Sequence, residues 1–225
     1  MRPAPPKGRS MFTGIVEELG EVVSLDVSPD GGDARLVAHG PTVTADVRHG
    51  DSIAVSGVCL TVVDFADGTF VADLMAETLD RTAAGSWRPG TAINLERSVT
   101  PSTRLGGHLV QGHVDGVGTI TARVEHDGYD EVRIGVPADL GRYLAGKGAV
   151  AVDGISLTVI DVVDSADGTE FGVGIIPETR KATTMGARRV GDRVNIEVDV
   201  MAKYAERLLG FHADGGSRSE RVGSA

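Results

Sequence analysis

The sequence lacks a second cysteine and any long apolar run. Cys59 is the only cysteine in 225 residues, so no intramolecular disulfide can form, and a lone thiol fits a reducing compartment. No apolar stretch approaches the roughly 18 residues that span a membrane, and no apolar segment follows Arg2 and Lys7 to form a signal peptide. These absences predict a cytoplasmic protein.

Excess positive charge and phosphate-binding loops are also lacking. The formal net charge of -10 argues against a nucleic-acid partner or an anionic membrane surface. Neither Gly146-Lys147-Gly148 nor Gly116-Val117-Gly118 has the remaining residues of a phosphate loop, and no Gly-x-Ser-x-Gly motif occurs. We therefore expect a small-molecule or protein partner.

What the chain does have is an internal duplication. The segment GVCLTVVD at 57–64 recurs as GISLTVID at 154–161. The agreement continues around each copy: Asp67-Gly68-Thr69 recurs as Asp167-Gly168-Thr169, Glu77-Thr78 as Glu178-Thr179, and Asn94 as Asn195. Repetition at this spacing predicts two similar domains, which we place at 11–98 and 99–199.

Each half has the composition of a β domain. Short runs rich in Val, Ile and Thr, separated by Gly, Asp and Pro, predict strands at 20–27, 35–38, 52–63, 70–74, 87–95 and 189–198. Hairpins are expected at Asp67-Gly68 and Asp167-Gly168, followed by short helical turns at 77–84 and 178–185. About six short strands in so few residues must curl into a closed barrel, so we predict an all-β protein of two tandem six-stranded barrels.

The ends of the chain have a different character. Residues 1–10 contain three prolines and no periodic apolar pattern, which predicts a disordered extension, and 211–225 have the composition of a disordered tail. Between the second barrel and that tail, 200–210 predict an α-helix with one apolar stripe, which either packs on its own barrel or joins another chain. The stripe consists of Val200, Met201, Tyr204, Ala205, Leu208 and Leu209.

The duplicated strand has one apolar and one polar face. Alternate residues share a face, so the apolar set faces the core, and Cys59 with Thr61, and Ser156 with Thr158, face outward. These small polar groups indicate a ligand platform, although a solvated surface remains the alternative. His108 and His113 lie an odd number of positions apart, so on a strand they would face opposite ways, and no metal site is expected.

The two copies differ where they could do chemistry. His113 stands where the first half has Ile15, Ser156 stands opposite Cys59, and Lys147 opposite Gly50. Two similar pockets with different polar groups suit a reaction that holds two similar molecules in unequal roles.

Six motifs together resemble the riboflavin synthase family of the alpha-chain type. They are MFTGIV at 11–16, GVCLTV at 57–62, LMAETL at 74–79, GGHLVQGHVD at 106–115, DGISLT at 153–158 and IPET at 176–179. The resemblance implies two Greek-key barrels and a C-terminal helix in a homotrimer, with an association with lumazine synthase. It also implies conversion of two molecules of 6,7-dimethyl-8-ribityllumazine to riboflavin and 5-amino-6-(D-ribitylamino)uracil, without metal or cofactor.

The resemblance also implies site residues, in a site between the first barrel of one subunit and the second barrel of its neighbour. His113 would remove a proton from the substrate, and Cys59 or water would add to the second molecule. Phe12 and Thr13 match a functional N-terminus that normally begins at the residue matching Met11, so residues 1–10 would have to leave the site uncovered. Candidate catalytic residues are therefore His113, Cys59, Ser156, Phe12 and Thr13. Candidate substrate-binding residues are Gly14, Ser52, Cys59, Thr61, Asp73, Met75, Thr78, Lys147, Ser156, Thr158, Ile176 and Thr179.

Two alternatives share this kind of fold. A non-catalytic antenna protein that binds lumazine or flavin is expected to keep one pocket and lose the other, whereas both copies here retain the polar strand and the Glu-Thr pair. A flavin reductase barrel would need an Arg-x-Tyr-Ser or Arg-x-Tyr-Thr signature, which Arg142-Tyr143-Leu144 does not provide.

Overall fold

The computed structural model describes residues 10–29 and 31–215. They form two closed six-stranded antiparallel barrels, which confirms the predicted tandem arrangement. The first barrel contains β1 (Glu18–Val27), β2 (Ala34–His39), β3 (Ser52–Val55), β4 (Val58–Ala66), β5 (Thr69–Leu74), α1 (Ala76–Arg81) and β6 (Ala92–Arg97). The second contains β7 (Gly116–His126), β8 (Tyr129–Val136), α2 (Ala138–Gly141), β9 (Ala149–Val152), β10 (Ile155–Ser165), β11 (Gly168–Ile175), α3 (Pro177–Ala182) and β12 (Arg193–Val198).

The two barrels have the same strand order. Around the first ring the order is β1-β2-β5-β4-β3-β6, and β7 to β12 occupy the corresponding places in the second. Register shifts interrupt β1–β2 and β4–β5, and they recur in β7–β8 and β10–β11. Because such bulges bend a strand and increase its twist, they allow these short sheets to close.

The predicted alternation of faces is confirmed in both barrels. Val58, Leu60 and Val62 are buried in the first core, whereas Cys59 is half-buried and Thr61 exposed. The second copy repeats the division: its apolar residues are buried, Ser156 is half-buried and Thr158 is exposed. Each barrel thus fills its interior from one strand face and presents polar groups on the other.

The segment 52–63, predicted as one strand, is two strands joined by a tight turn. Ser56 and Gly57 have positive φ values of 43° and 83°, and Asp153 and Gly154 repeat them with 46° and 76°. Two successive positive φ values characterise the turns that fit the twist of a hairpin. The two turns also pack against each other, because a Cβ on Gly57 would lie 2.8 Å from the Gly154 nitrogen.

Two asparagines join the barrels reciprocally. Asn94 Nδ2 donates to the Asp153 carbonyl at 2.9 Å, and Asn195 Nδ2 donates to the Ser56 carbonyl at 2.8 Å. Each amide oxygen accepts a backbone N–H from the 3-10 turn of the other barrel, at 2.8 and 2.7 Å. Both side chains are buried with satisfied hydrogen bonds, so the duplicated Asn fixes how the barrels dock.

A C-terminal helix, α4 (Val200–Gly215), follows the second barrel. It continues five residues beyond the predicted end, since one glycine inside a helix costs only about 1 kcal/mol. Its apolar stripe is largely exposed, with Met201 at 64% and Leu208 at 63%. No helix within the described part of the chain is long and apolar enough to cross a membrane. The predictions for 1–9 and 216–225 lie outside the described residues.

Candidate functional site

The outer face of the first barrel carries hydroxyls beside a shielded thiol. Ser52 on β3 lies opposite Thr61 on β4, and the Ser52 hydroxyl accepts a hydrogen bond from Ser10 Oγ at 2.6 Å. Cys59 lies two residues before Thr61 on the same face of β4, opposite Ala54. Burial raises the pKa of the Cys59 thiol, so the protonated thiol predominates at neutral pH.

The edges of both platforms are formed where a strand enters a short helix. Met75 and Ile176 precede α1 and α3 with extended backbones, and their side chains are 67% and 55% exposed. Thr78 and Thr179 follow one turn later and are half-buried, while Asp73 forms an exposed ion pair with Arg35 at 3.7 Å. Large exposed apolar side chains beside hydroxyls suit the edge of a flat, polar ligand.

In the second barrel, a histidine orients the candidate serine. His108 Nδ1 lies 2.7 Å from Ser156 Oγ. Burial lowers the pKa of His108, so its imidazole is neutral at pH 7 and can accept the Ser156 proton through Nδ1. Among the described residues, its Nε2 is the one buried side-chain nitrogen or oxygen without a hydrogen-bond partner. Lys147 and Thr158, also predicted here, are exposed.

Two segments cross between the barrels. Phe12 and Val110 exchange backbone hydrogen bonds of 2.7 and 3.1 Å, and both side chains are buried. They pack with Ala54 and Ala151 in a small apolar cluster that Cys59 borders. Phe12 is therefore buried between the barrels, while the following residues reach the candidate strands.

Glycines bring these segments against the candidate residues. The Gly14 carbonyl accepts the Ser156 N–H at 2.8 Å, and the Gly112 carbonyl accepts the Cys59 N–H at 2.9 Å. A Cβ on Gly14 would lie 2.6 Å from Ser156 Cβ, and one on Gly112 only 2.5 Å from Cys59 Cβ. Gly14 and Gly112 also have positive φ values of 75° and 76°, a backbone conformation that favours glycine. The sequence motifs at 11–16 and 106–115 are thus the two halves of one reciprocal contact.

Two buried glutamates were not predicted from the sequence. Glu96 accepts the N–H groups of Thr13 at 2.6 Å and Gly14 at 3.0 Å, and Glu197 accepts those of Gln111, Gly112 and His113 at 2.7, 2.9 and 3.0 Å. Burial raises the pKa of both carboxyls, and the backbone N–H groups oppose this rise by favouring the charged form.

The structure brings several predicted residues together and leaves others apart. Gly14 contacts Ser156 directly, and Thr13 is buried and hydrogen-bonded to Glu96. The His113 side chain is exposed, although its backbone is fixed by Glu197. Thr61, Asp73 and Met75 lie on the outward-facing surface of the first barrel. Their counterparts in the second copy lie on the outward-facing surface of the second barrel.

Comparison with known proteins identifies the family. A lumazine binding domain model matches residues 13–98 and again 111–199. Riboflavin synthase of Mycobacterium bovis is 56% identical over 204 residues, covering 88% of this chain and 98% of that protein. The chain belongs to the riboflavin synthase family. Riboflavin synthases of Photobacterium phosphoreum and Schizosaccharomyces pombe are 44% and 41% identical, covering 88% and 90% of this chain and 89% and 95% of theirs.

Solved structures agree with the riboflavin synthase fold. LumP complexed with riboflavin aligns with a TM-score of 0.73 at 24% identity, covering 83% of this chain and 98% of that chain. LumP complexed with 6,7-dimethyl-8-(1'-D-ribityl)lumazine aligns with a TM-score of 0.72 at 23% identity and the same coverage. At these identities the likeness shows the tandem-barrel fold alone.

Proposed function

We propose that this chain converts two molecules of 6,7-dimethyl-8-ribityllumazine to riboflavin and 5-amino-6-(D-ribitylamino)uracil by transferring a four-carbon unit between them. The observation that carries the proposal is the pair of equivalent outer faces, which bear Cys59 and Thr61 on one barrel and Ser156 and Thr158 on the other. Both faces retain polar groups, yet they differ at the positions that can act on a bound ring. That difference suits two identical substrates with unequal roles.

The proposed chemistry begins at His113. A base removes a proton from the 7-methyl group of the donor lumazine, whose electron-poor ring delocalises the carbanion, and the exposed imidazole of His113 can accept this proton through a ring nitrogen. Water or Cys59 adds to the acceptor ring, and Ser156, whose proton is held by His108, accepts a hydrogen bond from a ring N–H. Holding two flat rings at reacting distance contributes several kcal/mol, up to roughly 10 in the best cases.

The working site in this proposal forms between subunits of a homotrimer. In this assembly a donor and an acceptor meet where the polar face of the first barrel of one subunit faces that of the second barrel of another. The exposed stripe of α4, with Tyr204 at 55% and Leu209 at 69%, supports assembly through that helix. A cytoplasmic location and an association with lumazine synthase remain predictions.

The test of the activity uses purified protein and 6,7-dimethyl-8-ribityllumazine as the only substrate. Riboflavin should accumulate, followed by absorbance and by separation of the products, with one riboflavin formed for every two lumazines consumed. Binding of the lumazine without conversion would instead support the antenna function. Addition of a chelator should leave the rate unchanged, since the proposal assigns no step to a metal.

The assembly is tested by truncation. Deleting residues 200–225 should give folded monomers with little activity, because each site would lose the barrel of the neighbouring subunit. Light scattering measures the mass, and circular dichroism checks the fold. Trimers that survive the truncation would contradict the role assigned to α4.

A further inference from the structure

The segment that carries His113 is held by one carboxylate. Glu197 on β12 accepts the N–H groups of three successive residues, Gln111 at 2.7 Å, Gly112 at 2.9 Å and His113 at 3.0 Å. The glutamate is buried, with 2% of its surface exposed. Three converging N–H groups from one short segment leave that segment little freedom relative to β12.

Further backbone hydrogen bonds hold the segment 111–113 to the first barrel and hold the residues after it to β12. The Gly112 carbonyl accepts the Cys59 N–H at 2.9 Å, which fixes the segment to the first barrel. After His113, Asp115 donates its N–H to the Ile196 carbonyl and accepts the Val198 N–H at 2.9 Å. The His113 side chain is nevertheless exposed, so a rigid backbone presents a reachable imidazole.

The first barrel has the same arrangement without the histidine. Glu96 accepts the N–H groups of Thr13 and Gly14, and the Thr13 hydroxyl donates to it at 2.8 Å. The third N–H, from Ile15, is bound at 3.2 Å by that hydroxyl rather than by the carboxylate. Glu17 accepts the Arg97 N–H at 2.7 Å, as Asp115 does for Val198. The carboxylate contact is therefore duplicated, while the side chain that it presents differs.

We infer that Glu197 is a positioning residue that fixes the position and orientation of the His113 side chain relative to the bound substrate. Glu96 is its counterpart and fixes Thr13 and Gly14. This inference rests on the proposed function, because it concerns the residue proposed to remove the proton. Misplacing a catalytic group by about 1 Å can cost a hundredfold in rate, so a fixed backbone matters directly for proton abstraction.

The chemistry of the contact requires an ionised carboxylate. A carboxylate is acceptor-only and offers lone pairs on two oxygens, which suits three N–H donors. In Glu197→Gln one oxygen is replaced by an NH₂ group that would face backbone N–H groups. At least one buried donor is then unsatisfied, and the segment must move to restore its hydrogen bonds.

The first test is steady-state kinetics of Glu197→Gln on the full chain, with exposed Glu125→Gln as the matched control. We expect kcat to fall about tenfold or more while KM stays within about threefold, since the change affects orientation more than binding. In Glu197→Gln/His113→Gln, kcat should lie within about twofold of His113→Gln alone, because the glutamate acts through the histidine. Independent multiplication of the two losses would overturn the inference.

The second test does not depend on turnover. Amide hydrogens of 111–113 should exchange with deuterium at least tenfold faster in Glu197→Gln than in the parent, measured by mass spectrometry of peptides. Unchanged exchange overturns the positioning role even if the parent proves inactive. A parent that forms no riboflavin contradicts the proposed function alone, so the two failures are distinguishable.

A variant that keeps the charge guards against loss of folding. Glu197→Asp shortens the side chain by one methylene, so it should fold yet reach fewer of the three N–H groups. Its kcat should lie between those of the parent and Glu197→Gln, with thermal unfolding close to that of the parent. A folded Glu197→Asp or Glu197→Gln with parental kcat would overturn the inference.

Discussion

The corresponding ends of the two barrels are closed by side chains of different chemical character. In the first barrel the closing side chains are apolar and contact the core, with Trp87 only 3% exposed. In the second barrel the corresponding positions form an ionic network in which Asp130 accepts from two guanidinium groups. The corresponding pairs are Leu25 and Arg123, Ala34 and Asp130, Leu79 and Arg180, and Trp87 and Arg188.

The duplicated backbone therefore specifies the strand order of both barrels, but it does not specify the chemistry of the side chains that close this end. Asp130 accepts from Arg123 at 2.6 Å and from Arg180 at 3.1 Å, and Arg123 also donates to the Met185 and Arg188 carbonyls. A barrel end needs its interior shielded and its polar groups satisfied. Either apolar burial or a hydrogen-bonded ion network meets that need, and the two respond differently to mutation and pH.

The largest effect on stability is expected from removing a side chain that closes the end of either barrel. Trp87→Ala should lower the free energy of unfolding by about 3–5 kcal/mol through a cavity. Arg188→Ala should cost a similar amount, about 3–5 kcal/mol, because the fully buried Asp153, which accepts from Arg188 at 2.7 Å, loses its cation. Urea denaturation of each variant at pH 7 measures both losses.

The pH dependence separates these two variants. Burial already raises the pKa of Asp153, and loss of the guanidinium raises it further. A raised folded-state pKa gives stability that is present below the unfolded value and lost as pH rises. The deficit of Arg188→Ala should therefore shrink from pH 7 to pH 5, whereas that of Trp87→Ala should stay constant. Equal deficits at both pH values would contradict the ionic account of the second barrel.

The next effect concerns catalysis and the position where Ile15 and His113 differ. His113→Gln should lower kcat for riboflavin formation by about a hundredfold, equivalent to about 2.7 kcal/mol, because proton abstraction loses its base. The matched change in the first half, Ile15→Gln, should leave kcat within about threefold. Turnover of His113→Gln within twofold of the parent would exclude this histidine as the base.

A smaller effect is expected at Asp130. Hydrogen bonding to Arg123 lowers the pKa of this carboxyl, so its contribution to stability is present above the unfolded value of about 3.9 and is lost as pH falls below it. Asp130→Asn should cost roughly 1–2 kcal/mol at pH 7, and progressively less below about pH 4. Exposed Asp127→Asn serves as the control. A deficit independent of pH would show that the charge of Asp130 is unimportant.

The sequence was sufficient to predict the duplication, the barrels and the outward faces. These features follow from local patterns: a period of two in the strands, turn residues between them and one apolar stripe in α4. The buried Glu96 and Glu197 were not predicted, because their partners lie more than 80 residues away in the chain. A signal was nevertheless available, since both glutamates lie two residues after a duplicated Asn and directly after an apolar residue of the same strand.

The ionic end of the second barrel could not be predicted either. Arg123, Asp130 and Arg180 lie on three separate elements, and each alone has the appearance of an ordinary surface charge. The β7–β8 hairpin places Arg123 beside Asp130, and α3 must pack against that hairpin to bring Arg180 into contact with the same carboxylate. Likewise, the His108–Ser156 contact depends on the crossing of the two segments between the barrels, which no local pattern encodes.

The smallest effect is expected where the two copies differ least in size, at Cys59 and Ser156. If Cys59 were the nucleophile that adds to the acceptor, it would react as a thiolate, but burial raises the pKa of its thiol and disfavours that form at neutral pH. Cys59→Ser keeps the volume nearly unchanged and gives the first barrel the residue that the second already has. We expect kcat within about threefold of the parent, with water as the nucleophile. A loss of a hundredfold or more, with normal lumazine binding by fluorescence, would instead make Cys59 the nucleophile and the difference between the two strands catalytic.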